Sequence, residues 1–460
     1  MPGHPDAEHR LASAGVRFTD GYVTCPICAP TRAGLLAGRC QQRFGFETNP
    51  GPEAYADEKF GLPRTETTLA ERMKALGYTT ALFGKWHVGF RPELQPVARG
   101  FDEFFGFLSG ANGYLPGAGQ RGARNPILRG TQAVGENEYL TDAFGREAAA
   151  FIAKHGDEPF FLYLPFNAVH SPLQAIRKYL DRFSAIREEK RRTYAAMLSA
   201  LDANVGRVLE ALRERRLEEQ TLIFFLSDNG GPTAQTTSSN LPLSGFKGQL
   251  LEGGVRVPFI VQWKGRLPAG KVERRPVTAL DIHPTALAAA GQSPAPEWRL
   301  DGVNLLPYLE GGNAGLPHDT LFRRFNGQRA IRRGDWKLLQ MRTDPKPRLH
   351  NLATDAAETV DLSAKQPTRL KELSEAWAAW NAQLMAPQWR REDARTRGGQ
   401  AGAGGAIEER FQALDRNGDG KLTPGELPGG AAARHCTIET TDALPGSGDR
   451  ELRSIARLFV

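Results

Sequence analysis

Four cysteines in 460 residues are too few to staple a fold of this length, and only Cys25 and Cys28 stand close enough in sequence to share a site. A structural zinc site takes four ligands. The CPIC pair supplies two, and no second CxxC or HxxxH follows, which argues against zinc and against a thioredoxin-like couple. Long apolar runs are also missing. Nothing is long and apolar enough to span a bilayer, and the opening MPGHPDAEHRLASAG lacks the apolar core of a secretory signal, so the chain as written is expected to stay in the cytoplasm. Blocks of one charge are absent too. The balance of +7 comes from both signs interspersed, with no basic block interleaved with aromatics of the kind that grips nucleic acid. Such an excess favours a polyanionic substrate at long range but names no partner by itself.

What is present is an alternation of buried strands and amphipathic helices. TTALFGKWHVG (79–89), PFFLYLPFNAVHS (159–171) and TLIFFLSDNGG (221–231) are apolar runs that end in polar residues or glycine, the pattern of parallel strands covered on both faces. A helix opens at TLAERMKAL with Thr67 or Thr68 as its cap. Over 187–216, Tyr194, Met197, Leu198, Leu201, Val205, Val208, Leu209 and Leu212 share one helical face. This alternation predicts an α/β fold around a mostly parallel sheet flanked by helices. Ligands of such sheets bind beyond the carboxyl ends of the strands, which singles out Lys85, His87, His170, Asp228 and Asn229. Farther along, RAIRRGDWKLLQM reads as a hairpin turning at Gly334–Asp335. LHNLATDAAETVDLS reads as a polar connector and PTRLKELSEAWAAWNAQL as an amphipathic helix.

The segment CPICAPTRAGLLAGR (25–39) carries the chemistry. Pro30 suits the first turn of a helix, and Gly38 can end it. Cys28 then stands at a helix N-terminus, where unpaired N–H groups and the dipole favour negative charge. That position suits either an activated thiol or an anionic substrate, and Arg32 reaches back to it from one turn on.

Cys28 to Arg32, CAPTR, resembles the C-x-P-x-R signature of the type I sulfatases. The resemblance continues in family order through GKWHVG (84–89), HSP (170–172), SDNGG (227–231) and GFKGQLLEGGVRVP (245–258), and covers most of 11–384. It implies an alkaline-phosphatase-like fold with a smaller α+β C-terminal subdomain, and an enzyme that hydrolyses sulfate monoesters, here expected on a carbohydrate. It implies that Cys28 is oxidised to formylglycine by a formylglycine-generating enzyme. One hydroxyl of the aldehyde hydrate attacks sulfur, and the other then expels sulfate. Asp228 and Asn229, with the nucleophile at Cys28, are implied as calcium ligands. Arg32, Lys85, His87 and Lys247 are implied to hold the formylglycine and neutralise sulfate, and His170 to protonate the leaving oxygen. Family members are usually exported, so a periplasmic or secreted location is implied, against the missing signal.

The family's opening strand, which ends in paired aspartates that complete the calcium site, lies before the point where this chain resembles it. A start placed too far downstream is the expectation, and a truncated inactive calcium-binding homologue is the alternative. A phosphate or phosphonate monoester hydrolase of the same superfamily is another. A second calcium signal stands apart: DRNGDGKLTPGE (415–426) matches an EF-hand loop. Its ligands would be Asp415, Asn417, Asp419, the Lys421 carbonyl, Thr423 and Glu426. Pro424, Pro428 and the two glycines after it leave little exiting helix, and no partner loop follows, which suggests that a frameshift or truncation removed that loop. The expected organisation is a catalytic domain over 1–315, its C-terminal subdomain over 316–386, a flexible linker over 387–406, an EF-hand-like loop over 407–428 and an irregular tail over 429–460.

Overall fold

The computed structural model describes residues 7–50, 60–115, 117, 125–389 and 457–459. The EF-hand-like loop with its six proposed ligands lies outside the described residues, as do nearly all of the linker and tail.

Among the described residues sixteen strands are formed. In chain order they are β1 (Val16–Phe18), β2 (Gly21–Tyr22), β3 (Thr79–Lys85), β4 (Glu103–Phe107), β5 (Ile127–Arg129), β6 (Gln132–Val134), β7 (Phe160–Tyr163) and β8 (Thr221–Leu226). Then follow β9 (Phe259–Gln262), β10 (Lys271–Glu273), β11 (Val277–Thr278), β12 (Thr320–Phe325), β13 (Gln328–Arg333), β14 (Trp336–Met341), β15 (Asp344–Asn351) and β16 (Arg457–Phe459). Ten of them make one sheet in the order β10-β1-β9-β8-β16-β7-β3-β4-β5-β6. Its centre, β8-β16-β7-β3-β4, is wholly parallel, and antiparallel pairings begin at β9 and β5. The three apolar runs singled out in the sequence are thus β3, β7 and β8, all in this parallel centre.

Alternation along each strand builds two cores. Leu82, Phe161 and Tyr163 face one layer, which holds the helices Cys28–Ala37 and Leu69–Ala75. Ala81, Phe83, Phe160 and Leu162 face the other, against Leu140–His155 and Glu189–Glu214. Each such aromatic or aliphatic side chain contributes roughly 1.5–3 kcal/mol on burial, so both faces are firmly committed. Thr68 is the cap of Leu69–Ala75 and forms a reciprocal capping box with Glu71. In Glu189–Glu214 the buried stripe includes Met197, Val205, Val208 and Leu212, but Leu198 turns out to solvent, contrary to the sequence reading. Period alone placed it one step too far round the helix.

The hairpin is present as β13 and β14, joined through Gly334 in the left-handed region, within a four-stranded antiparallel sheet β12-β13-β14-β15. Ile331, Leu338 and Leu349 of this sheet pack on Leu373 of the helix Pro367–Asn381. Its other face, with Leu321, Phe325, Ala330 and Leu339, joins the main core. The stretch LHN, read as connector, is the end of β15, with Leu349 and His350 buried. A second correction concerns the tail. Residues 457–459 are not irregular: β16 pairs in parallel with both β7 and β8, Leu458 opposite Phe161 and Leu222. Three residues are too short a run to announce a strand, and these partners lie far away in sequence.

Candidate active site

The carboxyl ends of β3 and β8 deliver Lys85 and, two and three residues beyond β8, Asp228 and Asn229. His170 comes from the loop after β7, and Lys247 from the loop that precedes the short helix Glu252–Val255. The helix Cys28–Ala37 points its N-terminus at the same place, with Pro30 in its first turn and Gly38 closing it at φ 68°. These elements converge because parallel strands must all end on one side of the sheet.

Cys28 is 2% exposed. Its Sγ donates to Asn229 Oδ1 at 3.3 Å, and Lys247 Nζ donates to that sulfur at 3.1 Å. Arg32 reaches across from the next turn. Its Nε and Nη2 donate to one oxygen of Asp228, Oδ2, at 3.0 and 2.8 Å, and its Nη1 donates to the Lys85 carbonyl at 2.9 Å. Burial works against charge on Asp228, but Arg32, Lys85 and Lys247 outweigh it and hold the carboxyl well below the usual range. Burial pushes the Lys85 ammonium down, with Cys28 pulling the other way.

The two histidines complete the ring without bonding to the sulfur. His87, at φ 67°, is held well below its ordinary pKa by burial and then by Lys85, Arg32 and Lys247. Its Nδ1 is buried with no hydrogen-bond partner among the described residues, an open polar atom facing a cationic neighbourhood. His170 is lowered to about 4 by burial, Lys85 and Lys247, although a bond from Nδ1 to the Ser171 carbonyl at 2.7 Å pulls it up. That bond fixes the tautomer and leaves Nε2 as the working atom. All the sulfatase-like positions expected from sequence (Cys28, Arg32, Lys85, His87, His170, Asp228, Asn229 and Lys247) therefore fall in one neighbourhood.

Two further residues, both from the stretch after β4, support this site. The Tyr114 hydroxyl lies 2.6 and 2.8 Å from the Asn167 and His170 carbonyls, tying the His170 loop to the stretch that follows β4. Gly110 packs against His87 so closely that a Cβ there would sit 2.6 Å from Nε2.

For a divalent cation the donor chemistry is right but sparse. Asn229 Oδ1 and the Asp228 carboxylate are hard oxygen donors beside Cys28, and Arg32 engages only one of the two carboxylate oxygens. Calcium takes about six to eight such ligands. Among the described residues no group of three or more His, Cys, Asp or Glu side chains gathers to hold a metal. Asp228 and Asn229 thus fit one side of a calcium site.

Residues 3–292 match the family described as Sulfatase. The chain is 34% identical over 336 residues to N-acetylgalactosamine-6-sulfatase of Canis lupus familiaris, an alignment that covers 67% of this chain and 63% of that protein. It is 30% identical to Arylsulfatase J of Mus musculus, with 84% and 73% covered. Among solved structures, Ps i-CgsB superposes with a TM-score of 0.79 at 34% identity, covering 90% of this chain and 94% of that one. The same protein is also solved in complex with k-i-k-neocarrahexaose. Its likeness identifies the fold as the alkaline-phosphatase-like one of sulfatases, and no described helix is long and apolar enough to cross a membrane. The chain belongs to the Sulfatase family.

Proposed function

We propose that this chain hydrolyses sulfate monoesters of a sulfated carbohydrate, with Cys28 matured to formylglycine by a formylglycine-generating enzyme and calcium held by Asp228 and Asn229. One observation carries the reading: Cys28, buried at a helix N-terminus, has Lys247 at 3.1 Å and Asn229 at 3.3 Å, in the field of Arg32 and Lys85. A sulfate ester gathers negative charge on its oxygens as the S–O bond breaks, so the protein must supply positive charge where that charge develops. The relatives support the substrate class, since one is named for a sulfated amino sugar and another is solved with an oligosaccharide.

When present, the calcium would polarise sulfate oxygens, and the formylglycine hydrate would supply one hydroxyl to attack sulfur and a second to release sulfate. The rest belongs to this chain's own side chains. Lys247 and Lys85 orient the sulfate and offset its charge. Arg32 holds Asp228 through a single oxygen and so fixes the cation-facing carboxylate. His170 gives its Nε2 proton to the alcohol oxygen as the bond from that oxygen to sulfur breaks, while Nδ1 stays on the Ser171 carbonyl. Burial, Lys85 and Lys247 lower His170 to about 4, and the charge of a bound sulfate ester raises its pKa toward the working range.

Residues 316–386 form the C-terminal subdomain in this reading, and 407–428 an appended calcium loop. A calcium-rich compartment outside the cytoplasm suits both sites. The test is an assay of the full chain, co-expressed with a formylglycine-generating enzyme, on an aryl sulfate beside an aryl phosphate. Mass spectrometry of the Cys28 peptide runs in parallel. Aldehyde at Cys28 and preferential sulfate release are expected. A strong phosphate preference, or an unmodified thiol with sulfate esters left intact, would overturn the proposal.

A further inference from the structure

The loop that carries Lys247 is gripped from two sides. Lys247 is followed by Gly248, at φ 93°, whose N–H donates to the Pro26 carbonyl at 2.9 Å, two residues before Cys28. On the other side the Gly248 carbonyl accepts from Gln328 Nε2 at 2.9 Å, and Gln328 Oε1 accepts from the Leu250 N–H at 3.0 Å. One amide side chain therefore reads two backbone groups of the loop in a fixed pair. The Leu250 carbonyl accepts from Lys337 Nζ at 2.8 Å. Lys337 is fully buried and also pairs with Glu252 and Glu358, each at 2.8 Å. The Glu252 N–H closes the net on Glu358 at 2.6 Å.

Gln328 and Lys337 sit in the C-terminal sheet, on β13 and β14. Gln328 is the first residue after the Asn326–Gly327 turn, where both residues are left-handed (φ 46° and 76°) and bring β12 back as β13. That two-residue connection is a stiff hairpin turn. It presents an amide that is almost wholly buried, with its nitrogen and its oxygen each hydrogen-bonded to the loop.

We propose that Gln328, backed by Lys337, is a positioning residue for the reaction: it sets the Lys247 ammonium against the Cys28 sulfur from the C-terminal sheet. This rests on the sulfatase reading for its consequence in turnover, but not for its geometry. Without Gln328 the loop keeps its bonds before and at Gly248, from the Lys247 N–H to the Gly231 carbonyl at 3.4 Å, from Asn240 Nδ2 to the Gly245 carbonyl at 3.0 Å and from the Gly248 N–H to Pro26. It loses the clamp on the far side of Lys247, and an ammonium displaced by about 1 Å loses much of its effect on a reacting centre.

The test is a double-mutant cycle with two readouts. Gln328→Met keeps the length and volume of the side chain and removes both hydrogen bonds. Gln328→Glu keeps the acceptor for the Leu250 N–H. The first readout needs no turnover. On full-length protein made without the maturation enzyme, the alkylation rate of Cys28 by anionic iodoacetate is divided by that with neutral iodoacetamide. The thiol's own reactivity cancels, so the ratio reports positive charge at the sulfur. Gln328→Met should lower it by about fivefold, Lys247→Ala by at least as much, and the pair no further than Lys247→Ala alone. Gln328→Glu should fall between wild type and Gln328→Met. The second readout is kcat on an aryl sulfate with matured protein. Gln328→Met should cost about tenfold, mainly in kcat, and nothing more once Lys247 is alanine. A wild-type ratio in folded Gln328→Met, or losses that multiply, would overturn the positioning role. A ratio that falls in a protein with no sulfate-ester turnover would uphold that role while sinking the sulfatase reading.

Discussion

Lys247 Nζ lies 3.1 Å from Cys28 Sγ, although 219 residues separate the two along the chain. The contact places a flexible cation beside the Cys28 side chain, the position proposed to carry the nucleophile, while Arg32 from the same helix is engaged by Asp228 and the Lys85 carbonyl. Lys247→Ala should therefore lower kcat/KM for an aryl sulfate by about 10²–10³-fold, the scale for losing one charge-stabilising donor. Thermal unfolding should change little, because no other bond from its ammonium to the described residues braces the core. Steady-state kinetics and a melting curve check both halves.

Gly110 gives a test of His87. A methyl group there meets Nε2 at 2.6 Å and Cε1 at 2.7 Å. The ring is buried and cannot swing to solvent. Gly110→Ala should displace His87 and cut turnover by tenfold or more, with no direct contact to the sulfur. Gly130→Ala serves as a control for added bulk on a glycine, since nothing lies within 4 Å of its Cβ position. It should leave turnover unchanged, at a small cost for its left-handed φ of 58°.

His170 predicts a proton linked to anion binding. Its pKa is lowered to about 4 by burial and then by Lys85 and Lys247. A bound sulfate raises it, so binding takes up a proton between the raised value and 4. Sulfate affinity should rise as pH falls toward 4, by at most about tenfold per pH unit. Sulfate itself keeps its charge across that range. Titration calorimetry in buffers of different ionisation heat measures both the affinity and the proton, and His170→Asn should flatten the dependence.

Acid stability has a separate marker. His283 is buried, held neutral with a pKa of about 3, with Nδ1 at 3.1 Å from the Leu36 carbonyl and Nε2 unpartnered among the described residues. The unfolded chain binds this proton from about pH 6.5 downward and the folded one only near 3, so stability is full above 6.5 and is lost as pH falls through that window. The loss attributable to this group is on the order of 4 kcal/mol. Urea unfolding from pH 7 to 4 should show a shallower decline in His283→Gln than in wild type.

Much of the site was legible beforehand, and the reason is local chemistry. A proline in the first turn, a glycine at the end and a cysteine ahead of both place Cys28 at a helix start without reference to the rest of the chain. Apolar runs that end in Lys85 or in Ser227-Asp228-Asn229 show where the strands stop, and strands of a parallel sheet stop on one side. The helical face that misplaced Leu198 and the three-residue β16 show the limit of such patterns. A period tells which residues can share a face, but the neighbours decide how wide the buried stripe is.

The sequence by itself therefore determined the layered α/β architecture, the helix that begins at Cys28 and the roster of charged residues at the strand ends. Those follow from spacing, capping and strand polarity, which act within a few residues. Only the tertiary structure decided that Arg32 would hold Asp228, that Gly110 would bound His87, that β16 would lie between β7 and β8, and that Gln328 would grip the backbone on either side of Gln249. Each of these joins segments tens to hundreds of residues apart, where nothing in either segment's own pattern depends on the other until packing brings them together.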